Sequence, residues 1–332
     1  MTLTLRSLDK SIAADPHIAP FRASRDLGEL ATLIEVAFGQ ELDASGSNIV
    51  RDMRQMALWG PLAGLAQFGA PLFAGYVWLE NGRLVGNVSL TQEQNDPRTW
   101  VISNVAVFPE YRGRGIAGQL LDTTIAYVRS AQGQRILLQV RSDNPPALTL
   151  YRQRGFVTYD VIHELGLPPQ DWPVAIGDYP TSLRHVRARD AHSLYAVVMA
   201  SVPHATLIRR PIYAEQFRRG LTWQIGQYWQ IAMGGPQRYE LVGEASGEIV
   251  AYGGVTARLL SGPYTLDIYV LPERRGTWEL SLASQLIEMV AELPHHRLQA
   301  HLSASHPEAI DALRKLGFQT QRVLDQMSLD LV

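Results

Sequence analysis

The sequence predicts a mixed α/β fold in which one domain occurs twice in tandem, each copy a mixed β-sheet flanked by helices. The first observation is an internal repeat: residues 105–110 read Val-Ala-Val-Phe-Pro-Glu and residues 268–273 read Ile-Tyr-Val-Leu-Pro-Glu. Further segments recur in the same order at a spacing of 162 to 165 residues, pairing Asp26 with Asp190, Gly82 with Gly247, Val107 with Val270 and Gly155 with Gly317. The second observation is the order of strand-like and helix-like segments, which is typical of a mixed α/β domain.

Hydrophobic periodicity predicts the elements of the first copy in order. Leu27, Leu30, Leu33 and Ile34 have helical spacing, and the Asn-Gly pair at 81–82 is a strong hairpin signal. The predicted elements are a strand at 17–23, helices at 26–38 and 45–59, hairpin strands at 72–80 and 83–91, a strand at 100–108, a helix at 115–130, a strand at 135–140, a helix at 145–154 and a strand at 156–165.

A proline- and glycine-rich stretch separates the two copies. It carries Pro168, Pro169, Pro173, Gly177 and Pro180, a composition typical of a linker. The predicted division is therefore a first domain at 1–167, a linker at 168–182 and a second domain at 183–332. Each domain has the ordinary size of a single globular unit.

Composition narrows the classes of function. The 332-residue chain carries 30 lysines and arginines against 32 aspartates and glutamates, so its charge of -2 gives no reason to expect nucleic acid or an anionic membrane as a partner. The chain has no cysteine, which excludes disulfides, thiolate metal sites and a cysteine nucleophile. Residues 1–16 lack an apolar signal segment, so we expect a cytoplasmic location.

The stretch from residue 57 to residue 79 is uncharged and long enough to be considered as a membrane span. Pro61, Pro71 and several glycines interrupt it, so we predict a helix end, a loop at 60–71 and a strand. Two interpretations of the loop stay open. It packs on the core, or it forms a wall or lid over a substrate cleft, since long loops in compact domains are often functional.

The segment from Val105 to Gly118 is the most informative about chemistry. A strand leads there into a glycine-rich turn that opens a helix. Glycines let the backbone turn tightly and approach a ligand closely. The first amides of a helix lack internal partners and carry partial positive charge. Such a turn is suited to binding phosphate, although the chain has no Gly-Lys-Ser/Thr of a P-loop here.

Two motifs resemble those of the GNAT acyltransferase superfamily. The run Arg112-Gly113-Arg114-Gly115-Ile116-Ala117 is similar to the family's Gln/Arg-x-x-Gly-x-Gly/Ala signature. The run from Asn144 to Phe156 is similar to its N-x-x-A-x-x-L-Y-x-x-x-G-F segment. The resemblance covers residues 17–165 well and 183–330 in outline. It implies a tandem-domain member with an intact N-terminal copy and a degenerate C-terminal copy.

The resemblance also implies roles for the site residues. The turn would hold the pyrophosphate of acetyl-CoA, the expected co-substrate, and the preceding strand would pair with its pantetheine arm as an added strand does. Tyr151 would be the catalytic general acid that protonates the leaving thiolate. The implied cofactor-binding residues are Val105, Ala106, Val107, Arg112, Gly113, Arg114, Gly115, Ile116, Ala117, Gly118 and Asn144.

The sequence does not identify a general base. Members of the family often place a carboxylate on the strand before the turn, where this chain has Ser103 and Asn104. The candidates nearby in sequence are Glu93, Asp96, Glu110 and His163. Deprotonation through water, or an acceptor amine of low pKa, would remove the need for such a base.

The second copy lacks the features that carry this chemistry. Aligned on Val-x-Pro-Glu, Trp278 stands where the first copy has Gly115, and Asp267 stands where it has Asn104. Leu313 replaces Tyr151 and His306 replaces Asn144. We therefore interpret the second domain as a degenerate GNAT domain that completes the acceptor site or stabilises the first domain.

Core packing is the alternative for several candidate residues. For Tyr151 we favour a catalytic role over packing. For Trp223, Tyr228 and Trp229 we favour packing over a role in lining a pocket. No metal site is expected, because four nearby histidines lack the i, i+4 spacing of a helical metal-binding pair; they are His295, His296, His301 and His306.

Two functions remain in view. The first is an N-acyltransferase that moves an acetyl group from acetyl-CoA directly to a primary amine of a small molecule or peptide. The second is a non-catalytic acyl-CoA-binding sensor or scaffold. The missing strand carboxylate favours the second a little, and the two intact motifs with Tyr151 favour the first more. The acceptor and the oligomeric state stay open, and neither nucleic acid nor membrane is an expected partner.

Overall fold

A computed structural model describes residues 15–45, 53–54, 74–173, 182–220, 235–259 and 262–331. The predicted mixed α/β fold class is confirmed within these residues. The strands are β1 (Ile18–Pro20), β2 (Gly75–Glu80), β3 (Arg83–Gln92), β4 (Thr99–Val107), β5 (Arg135–Arg141), β6 (Val157–Leu167), β7 (Leu183–His185), β8 (Gln237–Ala245), β9 (Glu248–Ala257), β10 (Tyr264–Val270), β11 (Leu298–Ser303) and β12 (Gln319–Asp330). The helices are α1 (Ala23–Ser45), α2 (Ile116–Ser130), α3 (Pro145–Arg152), α4 (Ala191–Ser201), α5 (His204–Arg209), α6 (Glu279–Glu288) and α7 (Pro307–Lys315).

Some predicted segments fall outside the described part of the chain. They are the loop at 60–71, the aromatic residues Trp223, Tyr228 and Trp229, and most of the helix predicted at 45–59, of which Met53 and Arg54 are described and helical. Among the helices that are described, none combines the length and the apolar character that a membrane crossing requires.

The first compact unit comprises residues 1–139, 145–157 and 327–332. Its strands follow the order β1-β2-β3-β4-β5, with the end of β12 beside β5. Pairing is antiparallel from β1 to β4 and parallel between β4 and β5. Val77 packs in the core formed with α1, whereas the ring of Tyr76 meets Tyr127 of α2. Because successive strand residues point to opposite faces, α1 and α2 cover opposite faces of this sheet.

The second compact unit comprises residues 140–144 and 158–326. Its strands run in the order β7-β8-β9-β10-β11, followed by β6 and the first part of β12. The β10–β11 pair is parallel, and β6 pairs antiparallel with β11 from Leu298↔Leu167 to Ser303↔Ile162. Helices α4 and α6 pack against β9 and β10.

Each unit takes its last strand from the other half of the chain. In the first unit the chain's final strand lies beside β5, where the Arg135 guanidinium donates to Asp330 at 2.7 Å and Leu331 N–H donates to the Gln134 carbonyl at 2.8 Å. In the second unit β6, which precedes the predicted linker, pairs with β11. The division predicted at residues 167 and 183 stays a prediction about the repeat, since these compact units draw on both halves.

The repeat seen in the sequence recurs in the backbone conformation. Two hairpin turns have positive φ at both central residues, with values of 51° and 80° in the first half and 52° and 84° in the second; the residues are Asn81, Gly82, Ser246 and Gly247. Gly155 and Gly317 end α3 and α7 with φ of 86° and 92°. Only glycine adopts such helix-ending values without strain, which explains why these glycines recur.

A buried aspartate begins the first helix of each half. Asp26 accepts the backbone N–H of Arg22 at 2.7 Å, and Asp190 accepts that of Arg187 at 2.7 Å. Both carboxylates are almost fully buried, with 1% and 4% exposure. A carboxylate at a helix N-terminus meets unpaired N–H groups and the positive end of the helix dipole. The Arg-Asp pairs of the repeat therefore mark equivalent helix starts.

Candidate active site

The glycine-rich turn between β4 and α2 is open to solvent. A short 3-10 turn at Pro109–Tyr111 follows β4, and Gly113 and Gly115 have φ of 78° and 77°. A Cβ added at either glycine would meet no heavy atom within 4 Å. Left-handed backbone therefore explains these glycines, while the space over them is free for a ligand.

The start of α2 has unused hydrogen-bond donors. Gly115 is the N-cap, and no side chain caps the helix among the described residues. The first helical bond in this turn runs from Gln119 N–H to the Gly115 carbonyl. The preceding amides of Ile116, Ala117 and Gly118 therefore point out of the helix start, where partial positive charge favours an anion.

The two arginines of the turn donate hydrogen bonds to nearby backbone carbonyls and give the turn its positive charge. Arg112 donates from Nε to the Val107 carbonyl at 3.1 Å, which ties the turn to the end of β4. Arg114 donates to the Glu110 carbonyl at 3.2 Å and lies over the Tyr111 ring at 4.9 Å. Both arginines are exposed, so they add positive charge to the same open surface.

Gly118 lies where α2 approaches α3. A Cβ at Gly118 would come within 2.6 Å of Nη2 of Arg154, whose guanidinium pairs with Asp122 at 2.7 Å and donates to the Leu150 carbonyl at 3.0 Å. A side chain at position 118 would therefore have to displace the Arg154 guanidinium. The same packing links the turn to the helix that carries Tyr151.

The strand before the turn is irregular where the resemblance expects the pantetheine arm. Ser89 pairs with Ser103 and Asn87 pairs with Ala106, so β4 contains one extra residue between these pairs. Asn104 has φ of 51°, which is unusual for a residue other than glycine. The parallel pairs with β5 end at Val101↔Leu137 in the described strands. Val105 to Val107 thus follow a β-bulge on a strand edge that β5 does not pair.

Tyr151 lies near the end of α3 in the apolar interior. It is 6% exposed, and its ring meets Phe156 edge-on at 5.9 Å. Burial raises the pKa of Tyr151 to about 12, so the phenol is protonated at neutral pH. Its hydroxyl has no hydrogen-bond partner among the described residues, which leaves the proton available. Asn144 is exposed and immediately precedes the first residue of α3.

The four candidate bases differ in their hydrogen bonds, their exposure and their place in the fold. Asp96 accepts from the Thr99 hydroxyl at 2.7 Å and from Arg98 N–H, and these bonds hold its pKa below the ordinary value despite desolvation. It therefore caps a turn. Glu110 is exposed in the 3-10 turn, and Glu93 follows β3. His163 belongs to β6 in the second unit, and burial lowers its pKa.

In the second half, the turn equivalent to the glycine-rich turn holds a carboxylate of the chain itself. Gly276 keeps positive φ at 84°, but Trp278 replaces the second glycine and is 7% exposed. The Glu279 carboxylate accepts the N–H of Gly276 at 2.9 Å and that of Trp278 at 3.1 Å. His306 contacts Glu279 at 2.8 Å from its Nε2. The turn equivalent to the open turn of the first half is therefore occupied by a side chain of the chain itself.

The histidines near residue 300 have packing partners. His295 stacks on Trp172 at 4.3 Å, His296 lies 5.4 Å from the Tyr264 ring, and His301 lies 3.8 Å from Glu164. Within the described ranges, no three His, Asp or Glu side chains are grouped in a way that could hold a metal ion.

Two features of the site were missed from sequence: the β4 bulge at Asn104, and the carboxylate Glu279. A signal for the bulge was present. Gly82 and Gly247 are 165 residues apart, whereas Val107 and Val270 are 163 apart, so the first half is longer before the turn. No comparable signal pointed to Glu279, because its role depends on the folded turn.

Known proteins were compared with this chain by sequence and by structure. A profile of the Acetyltransferase (GNAT) family matches residues 50–156, a range that includes the glycine-rich turn and Tyr151. N-alpha-acetyltransferase 30 of Schizosaccharomyces pombe is 31% identical over 98 residues, which are 29% of this chain and 65% of that protein. The match thus spans slightly less than two thirds of the relative.

Solved structures extend the similarity in fold to the whole chain. A GCN5-related N-acetyltransferase from Sphaerobacter thermophilus superimposes with a TM-score of 0.65 and 16% identity, covering 95% of this chain and 96% of that one. A tandem GNAT protein from the clavulanic acid biosynthesis pathway gives a TM-score of 0.53 with 17% identity, covering 94% and 98%. The chain therefore has the fold of these tandem GNAT proteins, and its residues 50–156 are similar to the GNAT acetyltransferase family.

Proposed function

We propose that this protein moves an acetyl group from acetyl-CoA directly to a primary amine of a small molecule or peptide, in the first unit. The observation that carries the proposal is the open, positively charged turn at Gly113 and Gly115 beside the unpaired edge of β4. Phosphate would bind the amides at the start of α2. The pantetheine arm would pair with the backbone of Val105 to Val107 as an added strand.

The residues of the unit support direct transfer. The neutral amine attacks the thioester carbon, the carbon–sulfur bond breaks, and the thiolate takes the proton of Tyr151. The amine nitrogen loses a proton to solvent, and solvent supplies a proton to the tyrosinate. With the pKa of Tyr151 at about 12 and that of a thiol at about 8.5, proton transfer from the phenol to the departed thiolate is uphill. Reprotonation of the tyrosinate at neutral pH then draws the transfer forward.

The acceptor is proposed to be an amine, and the relative suggests where to begin. The name of the Schizosaccharomyces pombe protein describes acetylation of α-amino groups, so peptides with free N-termini are the first acceptors to test. With no carboxylate on β4, amine deprotonation would use water or an acceptor of low pKa. The cysteine-free sequence suits the cytoplasm as the location of this reaction.

A coupled assay of CoA release tests the proposal. Purified protein and acetyl-CoA are mixed with a panel of peptides and small amines, and turnover above the amine-free rate is expected with at least one. Acetyl-CoA binding by calorimetry is measured on the same sample. Binding without turnover on a broad panel would favour the alternative, a non-catalytic acyl-CoA sensor or scaffold. Absence of binding would contradict both functions.

A further inference from the structure

Asn87 is a buried polar residue whose hydrogen bonds converge on the β4 bulge. It is 1% exposed, and its Nδ2 donates to the Asn104 carbonyl at 2.9 Å and to the Ser89 hydroxyl at 3.2 Å. Asn104 in turn lies 3.4 Å from the Ser89 hydroxyl through its own Nδ2. A buried amide is expensive to keep without partners. Here its partner is the backbone of the bulge, which indicates that Asn87 sets the shape of that backbone.

The second half shows what the strand becomes without this arrangement. β10 pairs with β9 without a register shift from Thr265↔Thr256 to Val270↔Ala251. Tyr252 occupies the position that Asn87 has in the first half, two residues before a glycine instead of Ser89. The bulge and the asparagine therefore occur together, in the half that has the open turn.

Peptide geometry connects Asn87 to a neighbouring donor. The peptide bond between Asn104 and Val105 is planar and trans, so its C=O and N–H point in opposite directions. When Asn87 holds the Asn104 carbonyl, it also fixes the direction of Val105 N–H. Neither Asn104 nor Val105 has a residue opposite it on β3 in the described register. The Val105 donor is thus aimed away from Asn87.

We propose that Asn87 is a positioning residue that aims Val105 N–H at the thioester carbonyl of the acyl donor. The inference rests on the proposed function, because it requires an acyl-CoA beside β4. Attack by an amine places negative charge on the carbonyl oxygen, and a preoriented N–H stabilises that charge. Without Asn87 the 104–105 peptide is free to rotate, and the donor loses its fixed direction.

Infrared spectroscopy tests this proposal without an acceptor amine. Acetyl-CoA carrying ¹³C at the thioester carbon is bound to the protein, and the carbonyl band is compared with that of free acetyl-CoA. We expect a shift to lower frequency in the wild type. In Asn87→Leu and the isosteric Asn87→Asp, the band should return toward the free position, while CoA itself binds within about threefold of wild type. Thr91→Ala, an exposed change farther along β3, is the control and should keep the shift.

Several outcomes would overturn the proposal. They are an unshifted band in the wild type, an unchanged shift in both Asn87 variants, or an equal loss of CoA and acetyl-CoA affinity with a lower melting temperature. Amide hydrogen exchange of the wild type serves where the variants do not fold. Val105 N–H should exchange more slowly with acetyl-CoA than with CoA, and equal rates would contradict the role. A wild type that binds no acetyl-CoA would instead refute the proposed function.

Discussion

The glycine-rich turn of the first half and its counterpart in the second half begin with the same backbone conformation but differ in their surroundings. Gly113 and Gly276 have φ of 78° and 84°. A Cβ added at Gly115 of the first turn would have no described atom within 4 Å, whereas its counterpart Trp278 is buried. The Trp278 ring packs so closely on Gly243 that a Cβ there would lie 2.4 Å from it. Glu279 then accepts the N–H groups of Gly276 and Trp278, whose counterparts in the first turn are Gly113 and Gly115. The helix start of the second half therefore has an anion that belongs to the chain itself.

This difference shows how a side chain satisfies the backbone of a closed turn. An unpaired N–H group without water or a partner is costly, so a closed turn needs an acceptor from the chain itself. The Glu279 carboxylate supplies charge complementary to the helix dipole. Burial alone would raise the pKa of Glu279, but hydrogen bonds from His306 and Gly276 hold it below the ordinary value. The carboxylate is therefore ionised at neutral pH.

The sheet faces beneath the two turns differ in the same way. In the first unit the polar groups at the bulge are neutral, namely Asn87, Ser89 and Asn104. In the second unit Arg238 fills the equivalent region, donating to Asp267 at 2.9 Å and lying 3.0 Å from Glu240. Arg238 is thus paired with Asp267. The sequence alignment placed Asp267 opposite Asn104, but Asp267 pairs with Gly254 as Ser103 pairs with Ser89, so it is the counterpart of Ser103. The first half thus joins neutral polar groups by hydrogen bonds at its bulge, whereas the second half joins charged groups by ion pairs.

The largest expected effect comes from copying the closed turn into the first half. Gly115→Trp with Ile116→Glu should weaken acetyl-CoA binding by at least about 100-fold, because two or more hydrogen bonds to a charged group, each of about 1.5–3 kcal/mol, are lost. Calorimetry measures the affinity. Trp278→Phe is the control and should bind as the wild type does. Unchanged affinity in the double variant would refute the assignment of the turn.

Removal of the Tyr151 hydroxyl should affect chemistry more than binding. Tyr151→Phe is expected to lower kcat by about 10²–10⁴-fold, the range for a lost general acid, with acetyl-CoA affinity nearly intact. Steady-state kinetics with an identified acceptor checks this result. Tyr127→Phe changes another buried tyrosine of the same unit and serves as the control. Wild-type kcat in Tyr151→Phe would show that the ring has a packing role only.

Separation of the halves should cost the first unit its final strand. A fragment of residues 1–167 lacks residues 327–330, which lie beside β5. We expect it to aggregate, or to melt about 10 °C or more below the full chain and turn over poorly, since an unpaired central strand edge is exposed. Thermal unfolding and light scattering distinguish these results. A fragment with full stability and activity would show that the second half contributes nothing to the acceptor site.

The number of bound cofactors tests whether the second turn is closed. Calorimetry on the wild type should give one acetyl-CoA per chain. Trp278→Gly with Glu279→Ile copies the first turn into the second half. These two changes are made in the variant that also carries Gly115→Trp and Ile116→Glu, and we expect the result to bind inorganic pyrophosphate weakly. Two acetyl-CoA bound per wild-type chain would contradict the degenerate interpretation of the second half.

The smallest expected effect concerns stability and its dependence on pH. Glu279→Gln should lower the free energy of unfolding at pH 7 by about 1–3 kcal/mol, through weaker bonds to the buried amides. Because the folded pKa of Glu279 lies below its unfolded value, its contribution is present above the unfolded pKa and disappears as pH falls through the folded one. Urea unfolding at neutral and acidic pH measures this. Glu288→Gln, an exposed change on the same helix, should have little effect; an equal loss in both variants would contradict the role of Glu279.

Sequence patterns determined the elements and the repeat of this protein because both depend on short-range chemistry. The Asn-Gly hairpin, the strand–turn–helix at 105–118 and the helix end at Gly155 are each specified by residues within a few positions, and the described structure has all three. The position of Tyr151 on a helix followed from periodicity in the same way. The roles given to the site residues stay predictions, because no ligand contact enters those patterns.

The tertiary structure decided the features that depend on residues far apart in the chain. β6 pairs with β11, and the end of the chain's last strand lies beside β5, so each of these pairings joins segments from different halves of the chain. Asn87 reaches Asn104 across the sheet, and His306 reaches Glu279 from another helix, so neither contact has a signature in local spacing. Local propensity specifies which segments form helices and strands. Burial and hydrogen-bond satisfaction between distant segments decided which turn stays open to a ligand.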